Sequence, residues 1–120
     1  MIDKISLIEK FNLITNYWQP NIIAESNEQL VKIAKIQGEF VRHKHENEDE
    51  LFFVIKGKLQ IEFDDKKIEL SENEMIIVPK GVYHKPIAHE EVLLMLIEPT
   101  STVNTGDVIN DKTIYNLNTL

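Results

Sequence analysis

The sequence predicts an all-β protein: an antiparallel sheet closed into a barrel or paired into a sandwich, preceded by one short N-terminal α-helix. Three observations carry this reading. From Ile22 onward the apolar period drops from about 3.6 toward 2 residues. The runs are short and separated by turn-forming stretches, Lys56-Gly57-Lys58, Asp64-Asp65-Lys66, Ser71-Glu72-Asn73 and Lys80-Gly81. Some runs are apolar on both faces, so the sheet has to curl or pair to cover them.

The helix comes first. SLIEKFNLITNY, residues 6–17, sets Leu7, Ile8, Phe11 and Ile14 on one helical stripe, and Ser6 and Glu9 have the spacing of a capping box. Trp18 and Pro20 close it, because the residue before a proline is pushed out of the helical region. The strand candidates follow as NIIAES, QLVKIAKIQG, EFVRHKH, ELFFVIKG, KLQIEF, KKIEL, MIIVPKG, VYHKPIA and VLLMLIEP. Lys58 to Phe63 alternates cleanly, apolar side inward and polar side to water. LFFVI and VLLMLI do not alternate, and the AHEE stretch between the last two runs reads as a polar loop that leaves His89 in solvent. The tail from Thr100, rich in Thr and Asn with weak β signals at 113–117, is expected to wrap the surface.

Bulk properties narrow the partners. At 120 residues the chain suits one domain, 1–120. Its net charge of -7 repels a phosphate backbone, so nucleic acid is not an expected partner. No run approaches the roughly 20 apolar residues of a membrane span, and MIDKISLIEK lacks the apolar core of a signal peptide. The absence of cysteine excludes disulfides and thiolate chemistry and suits a cytoplasmic address.

The chemistry gathers in RHKHENEDE. Strand residues i and i+2 share a face, so His43 and His45 project side by side, and Glu50 can approach past a short loop. The Pro79-Lys80-Gly81 turn aims His84 at the same point. A His-x-His pair alone is more often two surface histidines than a metal site; the added Glu50 and His84 shift the balance toward a metal. Mixed imidazole and carboxylate ligands suit one divalent transition ion, Mn, Fe, Ni, Cu or Zn, rather than Ca or Mg. Glu46, Glu48 and Asp49 read as a solvated loop, with Glu48 or Asp49 as the alternative carboxylate ligand.

These residues resemble the two motifs of the cupin superfamily. Gly38, His43, His45, Glu50 and Gly57 follow the first, with one residue fewer before the first histidine, and Pro79, Gly81 and His84 follow the second. Asn73 stands where a glycine is usual, and Asn tolerates the left-handed backbone such a turn demands. Ala88 stands where an asparagine that is not a metal ligand is usual. The resemblance implies a double-stranded β-helix, the jelly-roll barrel, over about residues 30–100, with His43, His45, Glu50 and His84 as metal ligands and an open position for water or substrate. The whole chain resembles small cupins labelled phosphomannose-isomerase-like. It thereby implies a metal-binding protein that acts on or binds a small molecule, an isomerase- or dioxygenase-like metalloenzyme or a non-catalytic binding or sensor module; a degenerate barrel filled by its own side chains is the third reading.

By strand parity Phe52 and Val54 share the face of Glu50, and Leu59, Ile61 and Phe63 are expected to line the same pocket, against the plainer reading that these are core residues. Arg42, the sole arginine, falls on the face opposite His43, which counts against a sugar-phosphate substrate. The outward residues Leu51, Phe53 and Ile55, or Leu93, Met95 and Ile97, exceed what one short helix can cover, so the chain is expected to form a homodimer.

Overall fold

A computed structural model describes residues 2–120. The helix is much shorter than its apolar stripe suggests: α1 spans Leu7–Phe11. Ser6 caps it, its side chain accepting from Glu9 N–H at 3.3 Å. It stops because Leu13 and Ile14 bond back to the Lys10 and Phe11 carbonyls, three residues away, tightening the chain into a turn. Asn, Ile and Thr at 12, 14 and 15 are poor helix formers, and Ile14 still reaches the interior from that turn.

Seven strands follow: β1 Asn21–Ser26, β2 Gln29–Glu39, β3 Glu50–Lys56, β4 Leu59–Glu62, β5 Lys67–Leu70, β6 Met75–Val78 and β7 Lys85–Pro99. All pairings between these strands are antiparallel, in the order β1-β2-β7-β3-β6, with β4 joining β7 and β5 joining β4. The result is a jelly-roll barrel with one short N-terminal helix. Two expectations need correction. The EFVRHKH run is not a strand beyond Glu39; only His43 pairs, bridging to His84. AHEE is not a loop but part of β7, which joins the last two predicted runs into one strand of 15 residues.

That long strand organises the barrel. Its first part pairs with β4 through Lys85–Ile87, and its second part lies between β2 and β3. Between them the register with β2 slips, from Ile36↔Val92 to Gly38↔Ala88, so His89, Glu90 and Glu91 bulge outward into solvent. Gly57 turns β3 into β4 at φ +94° directly against this bulge; a Cβ there would lie 2.8 Å from the Glu91 carbonyl oxygen. Asn73 has φ 66°, the left-handed conformation expected where a glycine is usual.

Inward residues of the strands, among them Ala34, Ile36, Phe52, Val54, Leu59, Ile61, Val92, Leu94 and Leu96, form the principal core. A second cluster lies on the outer face, where Phe11 and Ile14 cover Ile23 and Ile33 and reach Leu93, Met95 and Ile55. The tail wraps the barrel, with Leu120 N–H donating to Ile22 O and Ile22 N–H to Asn118 O, both at 2.9 Å. No described helix is long and apolar enough to cross a membrane.

Candidate metal centre

His43 and His45 leave β2 on an extended stretch, and the 79–84 turn lies antiparallel against it. His43 and His84 exchange both backbone hydrogen bonds, at 3.0 and 2.8 Å, and Gly81 N–H donates to His45 O at 2.7 Å. Asp49 holds the turn from the other side by accepting from Lys80 N–H at 2.9 Å. Glu48 accepts from Ser101 Oγ. Both alternative carboxylates thus have structural partners, whereas Glu50, the first residue of β3, points inward and is buried. His43, His45, Glu50 and His84 are all buried, and one ligand atom from each lies within 4.8 Å of the others.

The hydrogen bonds fix which nitrogen faces inward. Nδ1 of His43 lies 2.8 Å from Val41 O, and Nδ1 of His84 lies 2.9 Å from Val82 O. A carbonyl cannot donate, so each Nδ1 carries the proton and each Nε2 of a neutral ring presents a lone pair to the centre. Glu50 Oε1 stands 3.3 Å from His84 Nε2 and 3.5 Å from His45 Nε2. The second distance is too long for a good hydrogen bond, and neither ring nitrogen of His45 has a partner among the described residues. Acceptors therefore converge on one buried point with few protons to share. Burial first, then the neighbouring His84, depresses the His43 pKa from 6.5 to about 4. Burial alone would raise Glu50, but the adjacent His45 and His84 rings hold its carboxyl well below the ordinary 4.5. A neutral imidazole set beside an ionised carboxylate is the state in which such groups ligate a metal, and backbone carbonyls on Nδ1 are the usual outer support of ligating histidines.

Beside the cluster runs a narrow cleft of about 40 Å³, walled by Trp18, Ile36, Phe40, Phe52, Leu94 and Leu96. By the measure in which one water needs roughly 10–15 Å³, it holds about three waters or a comparably small compound. His43 and Glu50 open onto it. Of the five residues expected to line the pocket, Phe52 does. Val54, Leu59 and Ile61 are fully buried in the core instead, because their strand positions lie beyond the cleft, and half-buried Phe63 borders an outer groove with Asp64 and Ile76.

The cleft also holds polar groups that sequence reasoning passed over, Glu98 and Asn104. Glu98 accepts from Lys32 Nζ at 2.8 Å, with both side chains almost fully buried. Burial first, and then the neighbouring Glu50 charge, push the Glu98 carboxyl well above 4.5 despite Lys32. The signal was present: Lys32 shares parity with Leu30, Ala34 and Ile36, and Glu98 with Leu94 and Leu96, all inward positions. Arg42 stays on the opposite face as expected, forked onto Asp64 at 2.8 Å and stacked 3.9 Å over Tyr83. His89 is exposed on the β7 bulge.

Buried imidazoles with a carboxylate, brought together at the mouth of a jelly roll by a His-x-His stretch and a Pro-x-Gly-x-x-His turn, define a cupin-type protein. The chain belongs to the cupin family, whose cupin domain matches residues 29–100. Among solved structures it is similar to a cupin-2 domain containing protein from Shewanella frigidimarina, at 48% identity and TM-score 0.78, over 79% of this chain and 93% of that one. It is also similar to protein NMB1881 from Neisseria meningitidis, at 32% identity and TM-score 0.75, over 81% of this chain and 99% of that one. The uncharacterised protein YdbB of Bacillus subtilis is 35% identical over 77 residues, 63% of this chain and 68% of that protein.

Proposed function

We propose that His43, His45, Glu50 and His84 hold one divalent transition ion, Mn, Fe, Ni, Cu or Zn, and that the adjoining cleft takes a small uncharged carbonyl or hydroxylated compound as substrate. The observation that carries this reading is the pair of Nδ1 contacts to Val41 and Val82 carbonyls, which turns Nε2 lone pairs toward the Glu50 carboxylate in a buried site. A bound ion would supply Lewis acidity to a ligand oxygen. The chain's own contribution is to orient the imidazoles, keep His43 neutral by burial and exclude bulk water with the Trp18, Phe40 and Phe52 walls. Phosphorylated sugars are disfavoured, because Arg42 is spent on Asp64 outside and Lys32 on Glu98 inside. Elemental analysis of purified protein should give one ion per chain, and His45→Ala should lose most of it; an unchanged metal load in that variant would remove His45 from the site.

A non-catalytic binding or sensor module is the second reading, favoured by the absence of an unpaired ionisable side chain among the cleft residues apart from the cluster itself. A turnover screen on metal-loaded protein separates the two. The cysteine-free composition supports a cytoplasmic setting.

The reading includes a homodimer. Two apolar rows cross the outer face through paired residues, Ile77-Leu51-Ile97-Val31 and Met75-Phe53-Met95-Ile33. The helix and its following turn cover the Ile33 end, while Met75 and Ile77 on edge strand β6 remain about half exposed. A second copy against that edge covers the rows. Light scattering should give twice 14.0 kDa, falling to one chain in Ile77→Lys; a wild-type mass of one chain at all concentrations contradicts the pairing.

A further inference from the structure

We propose that the C-terminal tail is part of the site: the turn at residues 104–107 positions His43 and closes the cleft, with Gly106 and Asp107 as its positioning residues. This rests on the reading of the cluster as a metal centre. The tail lies outside residues 29–100, the segment matched by the cupin domain.

The contacts are specific. Asp107 N–H donates to Lys44 O, and Lys44 N–H donates to Asp107 Oδ1, both at 3.0 Å. The tail is thereby clamped to the residue between the two histidines. Tyr83, next to His84, donates to Asp107 Oδ2 at 3.3 Å, so one carboxylate ties the tail to both ligand-bearing stretches. Gly106, at φ +58°, lets the backbone come flush against the His43 ring: a Cβ there would collide with the Lys44 carbonyl and lie 2.9 Å from His43 Cδ2. Cδ2 is bonded to Nε2, the nitrogen turned to the centre. The ring is thus held at Nδ1 by the Val41 carbonyl, against the Phe40 ring packed near-perpendicular to it at 5.5 Å, and at the Cδ2 edge by the tail.

The turn is itself rigidly built. Thr105 is fully buried, its Oγ1 2.6 Å from both Val108 O and Thr113 Oγ1. Asn104, which borders the cleft, accepts from Ile114 N–H at 2.9 Å and donates to Lys112 O at 2.8 Å. Such an arrangement restrains an imidazole and limits access to it, and losing comparable outer support around metal-ligating histidines costs about 10–100-fold in metal affinity.

The test compares wild type with Asp107→Ala, Asp107→Asn and Gly106→Ala, each loaded with Co²⁺, recording the visible spectrum and the rate of metal loss to excess EDTA, with a melting curve on each. Asp107→Ala and Gly106→Ala should release Co²⁺ about tenfold faster or more and alter the spectrum. Asp107→Asn keeps an Oδ1 acceptor for Lys44 N–H and should release it within about twofold of wild type. A variant that melts earlier but keeps the wild-type spectrum and release rate would make the tail merely structural and overturn the proposal, as would equal acceleration by Asn and Ala. If wild type takes up no Co²⁺, the metal reading fails, and the tail is then judged by acrylamide quenching of Trp18, the only tryptophan, which lines the same cleft as Asn104. Stronger quenching in Asp107→Ala supports closure by the tail, and unchanged quenching overturns it.

Discussion

Two buried polar groups meet in this barrel and solve the problem of burial in opposite ways. Lys32 and Glu98 meet across neighbouring strands, donor against acceptor at 2.8 Å, with Glu98 Oε2 alone left without a partner among the described residues. The His43, His45, Glu50 and His84 cluster has no such balance, since acceptors face acceptors and both His45 nitrogens lack partners. Buried charges persist when paired or when they bind metals. The first group supplies its own cation in Lys32, and the second has the ligand set for one. Their adjacency, with Glu98 beside Glu50, makes the contrast open to direct test.

The largest effects should come from breaking each group in turn. Lys32→Met strands a buried carboxyl and should cost about 3–5 kcal/mol in urea denaturation, while Lys32→Met with Glu98→Leu should recover most of that loss. Glu50→Gln should do the reverse: metal affinity falls by more than about 100-fold, yet the metal-free protein keeps its stability because an amide can donate to the imidazole lone pairs. If Glu50→Gln destabilises the metal-free fold as much as Lys32→Met, the two groups are not different in kind.

Acid sharpens the same distinction at intermediate size. Folded His43 takes its proton only near pH 4, whereas the unfolded residue takes it at 6.5. Between those values the unfolded state binds more protons, so the metal-free protein loses up to about 3 kcal/mol as pH falls through that window. His43→Gln should flatten this dependence in denaturation series from pH 7 to pH 4 (about the span of the shift). The smallest effect is the exposed counterpart of the buried pair: Arg42→Ala removes the forked contact to Asp64, with side chains 51% and 68% exposed. It should cost about 1 kcal/mol or less.

The site residues were legible in the sequence because their signal is local and chemical: a His-x-His spacing, a nearby acid, and a Pro-x-Gly turn with a histidine behind it. The barrel was legible from strand periodicity. What escaped was set by tertiary structure. The apolar stripe of residues 7–14 looked like a longer helix, but Ile14 reaches the core equally well from a tight turn after Phe11. His89, Glu90 and Glu91 looked like a loop because a bulge in a continuous strand presents consecutive polar residues to water just as a loop does. Lys32 and Glu98 passed unnoticed because each is unremarkable alone. Only the β2–β7 register, Leu30↔Glu98 and Lys32↔Leu96, brings them together. The tail's part in the site depends on a glycine contact more than 60 positions from His43, which no local pattern encodes.

Whether the four side chains form one metal-binding shell is read most directly by X-ray absorption at the edge of stoichiometrically loaded Zn²⁺. The expected result is a shell of nitrogen and oxygen at about 2.0–2.2 Å, with outer-shell scattering from three imidazoles that drops to two in His84→Ala. A spectrum without imidazole scattering, or one unchanged by loss of His84, would contradict it.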